Sequence, residues 1–209
     1  MGVTQSLGLF LEPITNFMNS GKEFFSFAIG VQAIIWGLVT FFLGILIDKF
    51  GPQKVLAFGI ISFASGIFLM SNPTSEFTLF SATTLMGFGL GGAGMATMVS
   101  IAGKVAPVNK RSLAMGLVAA AASFGQFAVV LPVMWMNKAF GWETSLIVLA
   151  SVVIGLLIFL PLLNSTNNKN NSAQDFGNSL QQTIMFSLRE KNYILLISGF
   201  FVCGFHVTF

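Results

Sequence analysis

The chain has 209 residues, of which 55% are hydrophobic and only 8% charged, with a net charge of +3. Soluble domains carry about 25% charged residues, so this composition excludes an ordinary soluble enzyme or nucleic-acid-binding domain. Twenty-four Phe and twenty-two Gly fit an all-α polytopic membrane protein, in which lipid-facing surface needs apolar bulk and helix contacts need small residues.

The N-terminus lacks a basic stretch followed by a small-residue cleavage site, so no cleavable signal peptide is expected. Residues 2–11 carry no charge but reach only about half a span before Glu12-Pro13. The reading is that the chain begins partway through its first helix. A loop at 19–23 follows, with Ser20 and Glu23 spaced as a capping box. Residues 24–47 form a charge-free run long enough to cross the roughly 30 Å hydrocarbon layer, and 55–70 form a third span ended by Ser71-Asn72-Pro73. Residues 77–103 make a fourth span whose glycines Gly87, Gly91 and Gly94 recur at three and four and share one helix face, which suits close packing. A fifth span, 113–136, contains Gly116, Ser123, Gly125, Gln126 and Pro132; after a short turn the sixth covers 144–163.

Residues 164–177 are an Asn/Ser-rich linker that requires no packed structure. Leu180, Ile184 and Leu188 recur every four residues beside Arg189 and Lys191, which predicts a short helix on the membrane surface. Residues 193–209 run apolar to the end as the start of a seventh span. The expected organisation is therefore a six-helix bundle over 1–163, a central linker over 164–192, and an incomplete second half opening at 193–209. Alternating the loops puts Lys49, Lys54, Lys104, Lys110, Arg111, Lys169, Arg189 and Lys191 on one side, against Lys22 and Lys138 on the other. Basic residues favour the cytoplasmic side, so the loops at 48–54, 104–111 and 164–192 are expected there, in a plasma or inner membrane.

Between the second and third runs stands Gly44-Ile-Leu-Ile-Asp48-Lys49-Phe-Gly51-Pro52-Gln-Lys54. Gly51 tolerates the turn and Pro52 suits a first helical position. This stretch resembles the signature loop between helices two and three of the major facilitator superfamily, with Gly44, Asp48, Lys49, Gly51 and Lys54 matching. Pro52 and Gln53 stand where a basic residue is common. Two further stretches are similar to the monocarboxylate porter and oxalate–formate exchanger branch: Gly8 to Ile14, with Glu12-Pro13, and Ala122-Ser123-Phe-Gly125-Gln126-Phe with Pro132. A weaker echo runs from Gly199 to His206. Some members of that branch carry a basic residue near Gln5, where this chain has none. The resemblance implies a twelve-helix secondary transporter, of which this is the first half. It implies also that Asp48 and its turn gate alternating access, and that the substrate is a small organic anion bound at mid-membrane.

Gln5, Gln32, Gln126 and His206 are polar side chains inside apolar runs, joined by Ser123. An unpartnered buried amide costs about 1–3 kcal/mol, so each must pair between helices or face a wet cavity; together they favour a polar central cavity. His206 titrates near neutral pH and can carry a proton. No Asp or Glu lies inside a complete span: Glu12, Glu23, Glu76 and Glu143 all sit at ends. That weakens the alternative of a proton-coupled exporter of hydrophobic cations. A non-transporting receptor on the same fold is the other alternative. Neither a nucleophile–base pair nor a metal-ligand cluster points to an enzyme, lone Cys203 supports neither a disulfide framework nor a metal site, and no cofactor or nucleic-acid partner is expected. The partners expected are a small-molecule substrate, the lipid bilayer and the missing second half of the same chain.

Overall fold

Five of the apolar runs fold as helices long enough to cross a membrane: Lys22–Ile47, Pro52–Met70, Glu76–Val105, Val108–Phe140 and Trp142–Pro161. The computed structural model describes residues 2–18, 21–166, 195, 198 and 199. Its boundaries differ from the uncharged runs by a few residues at both ends, and at several starts a charged residue joins the first turn. Glu23, Glu76 and Glu143 each stand in the first turn of their helix, where a carboxylate is stabilised by the unpaired N–H groups.

The first helix is built of three pieces: α1 (Gly2–Ser6), a 3-10 turn Leu7–Phe10, and α2 (Leu11–Met18). Pro13 falls in the first turn of α2, where its missing donor costs no hydrogen bond. The second helix, α3 (Lys22–Phe50), starts after Gly21, and Ser20 lies outside the described residues. Gly51 then separates α3 from α4 (Pro52–Met70). Next comes α5 (Glu76–Ala93), capped by Ser75, whose hydroxyl accepts the Thr78 N–H at 3.2 Å. The fourth span does not run on as one helix. It breaks at Gly94 and resumes as α6 (Met95–Val105). A 3-10 turn, Val108–Lys110, leads into α7 (Arg111–Phe140), which stays helical through Pro132. Gly141 joins α7 to α8 (Trp142–Gly155), and the chain continues as a narrower 3-10 helix over Leu156–Thr166. Among the described residues there is no strand.

The core lies between α4, α5, α8 and the first helix. Ile67 and Met70 of α4, Leu79 and Met86 of α5, Leu146 of α8, and Phe10 and Ile14 are all fully buried there. Two helices give it few residues, Phe25 from α3 and Val133 from α7. In the most apolar window of each span, 56% of residues are buried on α4 but only 11% on α3 and 6% on α7. Most residues of these two helices are therefore half-buried or exposed.

Close approach between α4 and α5 is made by glycine. A methyl carbon on Gly59 would stand 2.7 Å from the Ala93 nitrogen, one on Gly89 2.4 Å from Phe63 Cβ, and one on Gly66 2.6 Å from Met86 Cγ. Backbones can touch there only because the side chains are absent. At the end of the bundle away from the α3–α4 turn, Lys22 pairs with Glu12 at 3.6 Å, a well-exposed contact that ties helix one to α3 and contributes little stability.

The chain divides into a first unit, Met1–Asn167, and a second, Asn168–Phe209. The 164–192 linker lies almost wholly outside the described residues, as does all but Leu195, Ser198 and Gly199 of the seventh run.

Candidate functional site

The Gly44–Lys54 stretch closes α3 and opens α4. Asp48 and Lys49 occupy the last turn of α3, and Lys54 is exposed on the first turn of α4. Gly51 carries the reversal at φ 85° and ψ 155°, a region that is essentially glycine's alone. Its N–H donates to the Ile47 carbonyl at 3.0 Å, closing α3, and Pro52 begins α4 without needing a donor. Gly44 is exposed, with nothing within 4 Å of where its methyl carbon would be. Among the described residues no neighbouring helix uses the space that Gly44 leaves on α3.

The polar residues predicted to line a cavity stand on three of the described helices. Gln32 is 2% exposed on α3, and its Oε1 finds no hydrogen-bond partner. Gln5 is exposed on α1 and Gln126 half-buried on α7; Ser123, also exposed, donates back to the Ala119 carbonyl at 3.3 Å. His206 lies outside the described residues. Thr4 and Thr84 add two further buried hydroxyls without a partner.

The glycines divide by role. A methyl carbon on Gly87 would meet the Gln32 carbonyl at 2.9 Å, and one on Gly91 would meet Val39 Cγ1 at 2.7 Å, so both key α5 onto α3. Gly94 does not continue this stripe. Its backbone is extended, at φ −75° and ψ 176°, and it interrupts the helix. Gly125 has open space about it, yet its carbonyl lies 2.6 Å from where a methyl carbon on Gly2 would stand. That contact belongs to the close passage of helix one against α7.

The bundle holds an apolar cavity of about 570 Å³. Leu56, Ile60 and Phe63 of α4 form one wall; Met95 and Met98 of α6 and Ala122 of α7 form another. None of Gln5, Gln32, Ser123 or Gln126 lines it. The lining side chains are all apolar, so a polar molecule finds few partners in this space. Among the described residues no group of His, Cys, Asp and Glu could hold a metal ion.

Sequence reasoning read the glycines of the fourth span as packing residues but missed Gly59 and Gly66, their counterparts on α4. The signal was present: Gly59 and Gly66 stand seven residues apart, and so on one face of α4. The break at Gly94 had no such signal, because a glycine inside a glycine-rich run reads as packing.

Comparison with known proteins agrees with this architecture. A match to the Major Facilitator Superfamily covers residues 1–209. The chain is 23% identical over 208 residues to "Uncharacterized MFS-type transporter YcxA" of Bacillus subtilis (strain 168), covering 96% of this chain and 50% of that relative. It is 27% identical over 167 residues to "Agnestins efflux protein AgnL12" of Paecilomyces divaricatus, covering 78% of this chain and 36% of that protein. The chain thus spans half or less of the length of these relatives. No solved structure matches it. Five apolar helices of spanning length, a charged glycine turn between the first two of them, and a match running end to end lead to one conclusion: this integral, multi-pass membrane protein belongs to the major facilitator superfamily.

Proposed function

We propose that this chain is the first half of a secondary transporter that moves a small organic anion, of monocarboxylate type, by alternating access. The observation that carries the reading is the exposure of α3 and α7. Both are long apolar spans with 11% and 6% of their windows buried, and exposed polar residues lie beside them, Ser123 on α7 and Gln5 on helix one. Lipid cannot satisfy an amide or a hydroxyl, so these side chains belong against protein or a wet path. A second half packed over α3 and α7 would enclose such a path, with the substrate held between the halves. The Gly44–Lys54 turn would then gate it at the basic end, which the loop charges place in the cytoplasm.

In the five spanning helices among the described residues, the glutamates stand only in first turns at helix ends, which favours an anion over a cation. An anion also needs compensating charge near mid-membrane, and the longer protein would supply it from Lys or Arg in the second half. The efflux relative supports a second reading, export of an organic molecule in exchange for protons. Flux through the whole protein in vesicles separates the two. Uptake of a labelled monocarboxylate that rises with an inward proton gradient is expected. Exclusive export of a hydrophobic cation would replace the anion reading, and no flux of either would favour a receptor.

A further inference from the structure

The apolar cavity occupies one half of the bundle's depth. Its walls run from Leu56 to Phe63 on α4 and from Val118 to Val129 on α7, which at 1.5 Å per residue is about 10 Å and about 16 Å along the two helices. Half of a roughly 30 Å hydrocarbon layer is about 15 Å, so the cavity is about one leaflet deep. Leu56 stands two residues after Lys54 and Val118 seven after Arg111. Its outer edge therefore lies at the end of the spans that carries the bases. Because every lining side chain is apolar, the space suits a hydrocarbon tail and has no place for a charged head.

Beyond that edge the chemistry changes within about two helical turns. Gln53 Nε2 donates to the Leu160 carbonyl at 3.3 Å, tying α4 to the 3-10 helix at the level where the apolar lining ends. Lys54 is exposed on α4, and Lys110 and Arg111 are exposed where α7 begins. The two loops at this end, 48–54 and 104–111, hold the bases Lys49, Lys54, Lys104, Lys110 and Arg111 against the single acid Asp48. Long basic side chains keep their charge at head-group level while their stems lie along apolar surface. Leu156 and Phe159 of the lining are exposed, as is Ile158 beside them. Apolar surface thus continues from the cavity onto the outside of the bundle, and a tail can enter from the bilayer without crossing a polar barrier.

We propose that the cavity binds one acyl chain of an anionic phospholipid from the leaflet at the basic end, with the phosphate head held at the rim by Lys54, Lys110 and Arg111. The depth matches a single leaflet, the lining accepts only apolar groups, and the rim supplies charge opposite to that of a phosphodiester. A zwitterionic lipid would fill the space equally well but gain little from the rim. The site is a property of the bundle and does not rest on the function proposed above.

Photoactivatable lipids test this in the whole protein, reconstituted in phosphatidylcholine vesicles. The probe is phosphatidylglycerol with a diazirine on one acyl chain, and the control is phosphatidylcholine carrying the same chain. Adducts located by mass spectrometry at Ile60 and Phe63 report the cavity. Those at Phe58 and Ile61, exposed on the same helix at a similar depth, report bulk lipid. Each base near the membrane surface favours an anionic lipid about fivefold, so the ratio of cavity to bulk adducts should be at least about fivefold higher for phosphatidylglycerol. Lys110→Gln combined with Arg111→Gln should remove most of that preference. Ala122→Phe, which fills the cavity, should abolish cavity adducts with either probe. Unchanged bulk adducts show that a variant has folded; if Ala122→Phe does not fold, the parent and the charge variant decide. Equal ratios for the two lipids, or a preference unmoved in the charge variant, would overturn the site. Bulk adducts without cavity adducts would overturn it too, since another segment of protein would then fill the space. Stronger labelling of the cavity by a diazirine fatty acid than by the phospholipid would replace the bilayer lipid with a free carboxylate.

Discussion

Whether a glycine in this bundle can be replaced depends on what stands within reach of its missing methyl. Gly59 and Gly89 have backbone or Cβ atoms at 2.4 to 2.9 Å, whereas Gly155 has nothing within 4 Å. Overpacking a tight helix contact costs about 1–3 kcal/mol. Gly59→Ala and Gly89→Ala should each lower stability by roughly that amount, and Gly155→Ala should be neutral or slightly stabilising, since Ala favours the helix by about 1 kcal/mol. Thermal unfolding in detergent checks all three, and equal melting temperatures would refute the packing argument. Asp48 poses a different question, because a gate acts on rate. In the whole protein Asp48→Asn should slow turnover at least about tenfold, or ~1.4 kcal/mol on the barrier, with substrate affinity little changed. Affinity lost at normal turnover would instead put Asp48 in the substrate site.

At the level of the element, two helix pairs are joined by the same device. The α3–α4 turn uses Phe50-Gly51 and the α7–α8 turn Phe140-Gly141, with φ 85° at both glycines and ψ of 155° and 164°. A side chain in this region costs of order 1–3 kcal/mol. Gly51→Ala and Gly141→Ala should therefore destabilise the protein to a similar extent, although only Gly51 lies in the charged signature stretch. Denaturation of the two variants side by side tests this. A selective loss of stability at Gly51 would mean that the signature turn carries packing beyond its backbone conformation. The fourth span shows the opposite case: Gly94 stays at negative φ and breaks its helix by extension rather than reversal.

Across the described spans, glutamates gather at one end of the bundle: Glu23, Glu76 and Glu143 each stand in a helix's first turn, and Glu12 of helix one pairs there with Lys22. Lys54 and Lys104 lie at the opposite ends of the spans, on α4 and α6. If the basic end faces the cytoplasm, an epitope inserted at 164–177 should react only in permeabilised cells and one at 137–143 already in intact cells. The same accessibility at both sites would overturn the span order.

The second to sixth spans were legible in the sequence to within a few residues, because transfer to hydrocarbon is a property of composition over about twenty residues and needs no partner. The α3–α4 turn was legible for a related reason: Gly51-Pro52 states a local backbone requirement. Which faces meet was not legible. Gly87, Gly89, Gly91 and Gly92 lie within six residues of one another on α5, and only the positions of α3 and α4 assign the first and third to one neighbour and the second and fourth to another. The same holds for the interruption at Gly94, where Leu90, Trp36, Thr97 and the cavity together make an extended glycine the local solution. It holds too for Gln32, whose burial without a partner for Oε1 depends on what packs over α3. Solvent preference is written residue by residue along the chain, whereas close packing and polar satisfaction are properties of pairs that the chain brings together only on folding.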